Sequence, residues 1–168
     1  ARHEAVGIEI CYVKSDFLNW ISGLLYEIKV SRVGIESEHL NIVTHQQLTQ
    51  ALDRQCGTAK LISVENVVES LRLKKDSDEL LHIKNACSIA DDAIDYASRI
   101  LQPGKTEDQV AWELESHIRE NGSRMLPFEI IVASGPNSAL PHAHPTNRQI
   151  QSGEPVTIDL GTNVNGYC

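Results

Sequence analysis

FEIIVASGPNSALPHAHPTNRQIQSGEPVTIDLGTNVNGYC, residues 128–168, holds two strand-like runs, FEIIVAS and PVTIDLG, joined by a turn-rich segment that carries two histidines. In PVTIDLG, alternation with a period of two places Val156, Ile158 and Leu160 on one face and Thr157, Asp159 and Gly161 on the other. Asp159 is therefore an acid among core-forming neighbours. A carboxylate held near a dry core is costly unless it is paired, hydrogen-bonded or bound to a metal. Spacing alone leaves open the alternative of an aspartate at a wet sheet edge or in a salt bridge. Asn165-Gly166 then signals a tight hairpin, because a type I′ turn needs two residues that tolerate positive φ. With that turn, Val164 faces Tyr167 and Asn163 faces Cys168. Continuing the register, the position two beyond Cys168 would oppose Gly161 on the face of Asp159. A second acid there would lie diagonally across, roughly 7–8 Å away, within bridging reach of one or two divalent cations.

His142 and His144 sit between the two runs, and Pro141 and Pro145 stiffen the backbone around them. A neutral imidazole held in place can bind a metal or hydrogen-bond a reacting carbonyl. The spacing equally allows two solvated loop histidines. No H-E-x-x-H, G-x-S-x-G, P-loop or G-x-G-x-x-G pattern occurs, so a helix-borne zinc site, a serine nucleophile elbow and the common nucleotide loops are not indicated.

Upstream, Asp76 and Glu79 form a capping box ahead of Leu80, Ile83, Cys87, Ala90, Ile94, Ala97 and Leu101, a three-four repeat that predicts one long helix with a buried seam. Pro103-Gly104 ends it, and Thr106 with Gln109 opens another helix carried by Val110, Leu114 and Ile118 and closed near Gly122. Residues 6–73 alternate instead between strand-like and helix-like patterns. AVGIEICYV (residues 5–13), VSRVGIES and AKLISV are the strands. Asp16 to Ile28, with Phe17, Ile21, Leu24, Leu25 and Ile28 on its stripe, is a helix. A helix capped by Thr44 and Gln47 and a short one through Val67, Val68 and Leu71 complete the set. The expected division is a small α/β portion over 1–73 followed by an α+β portion over 74–168, with the boundary near Leu73 to Asp76.

With 41% hydrophobic and 23% charged residues, the composition is that of a soluble globular protein, and no apolar run approaches the roughly 20 residues that span a bilayer. A net charge of −8 disfavours a nucleic-acid partner. Cys11, Cys56, Cys87 and Cys168 lie far apart and read as reduced thiols of a cytoplasmic protein. The opening lacks a methionine and a secretory pattern, and Ala1 is not expected to be a native start.

Residues 128–168, with ASGPNSALPH, IDLG and GYC, closely resemble the pita-bread metallopeptidases, in the aminopeptidase P and prolidase branch that cleaves Xaa-Pro bonds. LRLKKDSDELLHIKNACSIADDAI, residues 71–94, resembles the helix that opens that catalytic domain, and SRVGIESEHLNIVTHQQLTQAL, residues 31–52, resembles the end of the smaller domain before it. The resemblance implies an incomplete chain: the end of a creatinase/prolidase-type N-terminal domain plus the first part of the catalytic domain. It implies that Asp159 is the first metal ligand, that His142 lines the active site and hydrogen-bonds the substrate, and that Phe128 stands near the pocket. His144 inherits no role. Two divalent ions, manganese or cobalt with zinc as the further choice, a proline-containing peptide substrate and a homodimer are implied for the complete protein. The remaining ligands would lie beyond Cys168, so this segment alone is expected to be inactive and to hold no metal. A pita-bread domain that has become a protein-interaction platform and a creatinase-like amidinohydrolase are the alternatives.

Overall fold

The computed structural model describes residues 7–13, 16–55 and 59–168. The chain divides into two units, residues 1–74 and 75–168.

In the first unit, helix α1 (Phe17–Glu27) begins where the Asp16 carboxylate accepts the Asn19 N–H at 3.2 Å. It packs against α2 (Ile42–Gln55). The stripe is rotated from the expected one: Ser22 is buried at its centre with Leu18, Ile21 and Leu25 half-buried, whereas Phe17 and Ile28 are exposed. A small serine whose hydroxyl donates to the Asn19 carbonyl at 3.0 Å permits this close contact without an orphaned polar atom. Strands β1 (Arg32–Glu36) and β2 (Lys60–Val64) pair in parallel, Gly34 opposite Ile62, with α2 as the crossover. Asn41, not Thr44, caps α2: its Oδ1 accepts the Thr44 N–H at 2.9 Å and its hydroxyl at 3.1 Å. Thr44 lies inside the first turn because an equally good cap stands three residues earlier. Helix α3 (Val67–Leu73) follows. Of the strand expected over residues 5–13, Ala5 and Val6 lie outside the described residues, and 7–13 are exposed and form no strand, since an apolar run becomes one only where a neighbour completes its ladder.

In the second unit both capping boxes form. Asp76 Oδ1 accepts the N–H groups of Asp78 and Glu79 at 2.9 Å, and Glu79 returns a bond to the Asp76 N–H at 2.7 Å, starting α4 (Ser77–Ile100). Thr106 and Gln109 do the same for α5 (Glu107–Glu120). The seam of α4 is displaced by about one residue from the expected one. Ala86, Ala93, Ala97 and Ile100 are buried, while Leu80, Cys87 and Ile94 are exposed. The alanine edge lets α5 bring Val110, Leu114 and Ile118 close, whereas the bulkier stripe would hold the helices apart. Strands β3 (Ile131–Ser134) and β4 (Val156–Asp159) form an antiparallel pair, Ile131 opposite Asp159 and Ser134 opposite Val156. Val156, Ile158 and Leu160 pack on the core with Ile130 and Val132, as the period-two pattern requires. The Asn165-Gly166 turn has φ of 50° and 89°, and Val164 and Tyr167 exchange backbone bonds of 2.9 and 3.0 Å. Tyr167 Oη donates to Glu79 and the Thr162 hydroxyl to the Ala86 carbonyl, tying this end of the chain to α4.

Among the described residues no helix is long and apolar enough to cross a membrane, and Cys11, Cys87 and Cys168 are free, exposed thiols. Cys56 lies outside the described residues.

The displaced seam has a direct test. Ala93→Leu is expected to destabilise by about 1–3 kcal/mol through overpacking. Ile94→Ala, at a side chain 48% exposed, should cost less than about 1 kcal/mol. Urea denaturation of both variants checks the ordering, which the expected stripe would reverse.

Candidate functional site

Alternation along β4 separates two chemistries. One face goes to the core, and the other carries Thr157 and Asp159, both exposed. Asp159 is thus not held against a dry core: it stands at a solvent-facing position of a two-stranded sheet. Two neighbours frame it along the chain. The Thr157 hydroxyl donates to the Ser138 carbonyl at 3.3 Å, which brings the 3-10 turn Gly135–Ala139 against β4 at the residue two before Asp159. Two residues after Asp159, Gly161 is covered by Phe128. A Cβ there would lie 2.8 Å from Phe128 Cε1 and 2.6 Å from Pro127 Cγ, so glycine is required by the ring above it. Phe128 is 44% exposed and also borders an open surface cleft of about 470 Å³ with Arg119, Arg124 and Met125.

His142 lies in the loop that continues from the 3-10 turn and is exposed, while its neighbour Ala143 is buried and anchors the chain there. Among the described residues no hydrogen bond or ion pair joins His142 to Asp159. His144 is exposed and its Nδ1 lies 3.1 Å from Glu129 Oε2.

The sequence reading missed what holds this loop. Glu107, the first residue of α5, has no solvent exposure. Its Oε1 accepts the Ser134 N–H at 2.7 Å and the Ser134 hydroxyl at 2.8 Å, its Oε2 accepts the Thr146 N–H at 3.1 Å and the Thr146 hydroxyl at 2.6 Å, and Asn137 Nδ2 donates to both oxygens at 3.1 Å. Burial pushes the Glu107 carboxyl up, but the bonds from Thr146, Ser134 and Asn137 outweigh it and hold it below the usual range. Arg148 donates to the Ser134 hydroxyl at 2.5 Å and pairs with both oxygens of Glu154 at 2.6 Å. The Arg148 guanidinium, with the Gln151 N–H, brings the Glu154 carboxyl down to about 2. Gly135, at φ 50°, lies against this ion pair, where a Cβ would stand 2.3 Å from Glu154 Oε2. Ser134, Gly135 and Asn137 lie within the ASGPNSALPH stretch, but Glu107, Thr146, Arg148 and Glu154 belong to no short motif. A glutamate directly after a capping threonine ordinarily signals no more than a favourable charge at a helix start.

As hard oxygen donors go, Asp159 suits a divalent cation, but no group of three His, Cys, Asp or Glu that could hold a metal occurs among the described residues.

The model of metallopeptidase family M24 matches residues 82–168, the segment that carries Phe128, His142 and Asp159. The chain belongs to metallopeptidase family M24. The creatinase/prolidase N-terminal domain matches residues 1–74, so the α/β unit and the α+β unit are the small domain and the first part of the pita-bread catalytic domain of an M24 protein. The Xaa-Pro dipeptidase of Bacillus anthracis superimposes with a TM-score of 0.86 at 33% identity, over 96% of this chain and 44% of that one. The X-Pro aminopeptidase of Thermotoga maritima gives 0.81 at 28% identity, over 94% and 44%. An uncharacterized peptidase of Bacillus subtilis, YqhT, is 33% identical over all of this chain and 46% of its own length. The chain spans less than half the length of these M24 relatives.

Two outcomes follow from this geometry. Gly161→Ala is expected to destabilise by about 1–3 kcal/mol, and adding Phe128→Ala should recover part of that loss, as thermal unfolding of the two variants will show. For Glu154, a folded-state pKa of about 2 lies below its ordinary value, so its contribution to stability is present above pH 4.5 and is lost as pH falls toward 2. The stability difference between the wild type and Glu154→Gln should accordingly shrink over that window in urea titrations, and Arg148→Met should abolish the trend.

Proposed function

We infer that the complete protein hydrolyses the peptide bond before proline, as an Xaa-Pro dipeptidase or aminopeptidase that depends on divalent metal ions. The observation that carries this reading is the framing of Asp159 on β4, with the turn leading to His142 on one side and the Phe128 ring on the other. The similarity to an Xaa-Pro dipeptidase and an X-Pro aminopeptidase over nearly the whole chain supports it.

In this reading Asp159 contributes one metal-binding carboxylate to a centre whose other ligands belong to the rest of the protein. The metal ions, manganese or cobalt with zinc as the further choice, supply the acidity that makes water a nucleophile at neutral pH. His142 hydrogen-bonds the substrate near the scissile bond, and its exposure leaves the imidazole free to do so. Phe128 gives the pocket an apolar wall suited to a pyrrolidine ring. Cytoplasmic location and a homodimer belong to the same proposal. The rival is an M24 domain serving as an interaction platform without metal.

The complete protein is expected to cleave an Xaa-Pro dipeptide or a longer Xaa-Pro peptide, and a chelator should abolish the activity. Asp159→Asn should lower kcat/KM by at least about 10²-fold, since even outer-shell changes at metal sites cost 10–100-fold. His142→Ala should lower kcat by about 10²–10³-fold, the scale for losing one hydrogen bond to a developing charge. The 168-residue chain alone should show neither activity nor stoichiometric metal. A complete protein without bound metal would favour the platform, and turnover of creatine in place of proline peptides would favour the amidinohydrolase.

A further inference from the structure

The loop between β3 and the segment 146–150 is closed at both ends by one side chain. Ser134, the last residue of β3, and Asn137, in the 3-10 turn, reach Glu107 from the side where the loop begins. Thr146 reaches it from the side where the loop ends. The backbone repeats the closure: Glu107 N–H donates to the Arg148 carbonyl and Asp108 N–H to the Thr146 carbonyl, both at 3.1 Å. His142 lies between the two tethers. Within the loop the backbone bonds run from Leu140 N–H to the Asn137 carbonyl at 3.0 Å and from Ala143 N–H to the Leu140 carbonyl at 3.3 Å; Ala143 is buried, while the apex residues Leu140 and His142 are exposed. Apart from the buried Ala143, the apex takes its position from its roots.

We propose that Glu107 is the positioning residue for His142: a single buried carboxylate joins the two roots of the loop and so sets where the imidazole stands. The inference rests on the reading of His142 as the substrate-facing residue. It extends that reading to a side chain that touches neither substrate nor metal. A carboxylate suits the task because it is acceptor-only and offers about four lone-pair sites, enough for donors arriving from two segments at once. Glutamine keeps the shape but turns one oxygen into a donor, which must then face N–H and O–H groups at one root or the other.

The test is a double-mutant cycle in the complete protein. Glu107→Gln is expected to lower kcat on an Xaa-Pro substrate by about 10²-fold, the scale of a roughly 1 Å misplacement, with bound metal unchanged. In a His142→Ala background the same change should lower kcat by less than about 3-fold further, because a group that acts through His142 has nothing left to position. Losses that multiply, or a loss of bound metal equal to the loss of activity, would overturn the proposal. Asn137→Ala, which removes one donor and keeps the other tethers, should give about a 10-fold loss with the same non-additivity, and it decides the matter if Glu107→Gln does not fold. A wild-type protein without Xaa-Pro activity would remove the functional reading but not the positioning claim. That claim is then judged on the complete protein: Glu107→Gln should speed amide exchange at Ser134 and Thr146 at least about tenfold and loosen residues 140–144 in 15N relaxation, while Val110 and Leu114 stay protected. Unchanged exchange and relaxation would sink it.

Discussion

A full negative charge with no access to water survives in a folded chain only where donors surround it, and Glu107 is such a charge. Its donors come from β3, from the 3-10 turn and from the strand-like segment that returns to α5, so the carboxylate is the point at which three pieces of backbone meet. The positive end of α5 adds a favourable field in its first turn. Arg148 then links the same serine to Glu154, and Gly104 and Ile150 join the start of α5 to the return segment by backbone bonds of 2.9 Å. The apolar core holds α4, α5 and the sheet together, but it does not determine how the loop leaves the sheet. The buried acid does.

This arrangement separates stability from chemistry. β4 gives its apolar side chains to the core and its polar ones to the opposite surface, so Asp159 is held by a rigid strand while its carboxylate stays reachable. The same holds for His142, whose neighbour Ala143 is buried and whose own ring is not. Sites need groups that are fixed in place yet incompletely satisfied, and a strand of alternating character and a loop tethered at its roots both provide this.

Much of the fold was legible because its signals are local. Capping boxes at Asp76 and Thr106, the period-two face of β4 and the Asn165-Gly166 turn depend on residues within four positions of one another, and each formed as read. The seam of α4 was misread by one residue because two apolar stripes run along that helix. Side-chain size, which no hydropathy pattern weighs, selects the alanine edge for the close contact. The cap of α2 shifted to Asn41 for a related reason, since two good capping residues stood three apart. Among the candidate site residues, Asp159, His142 and Phe128 could be named from the resemblance carried by residues 128–168. Glu107 could not, because its partners lie 27 to 39 residues away and share no spacing with it.

The three-charge network also bears on why such a site is retained at all. Buried ion pairs are often no better for stability than well-packed apolar residues of the same volume. That argument applies to side chains, which mutation can remove in pairs. Here two of the donors to Glu107 are the backbone N–H groups of Ser134 and Thr146, which no substitution short of proline removes. An apolar residue at 107 would leave both without an acceptor, a desolvation cost of about 1–3 kcal/mol each. Restoring them would require the loop to open toward water, and its roots would then part. The acid at 107 is therefore not exchangeable for a hydrophobic one while the loop keeps its course, and that course carries His142, exposed, at its apex.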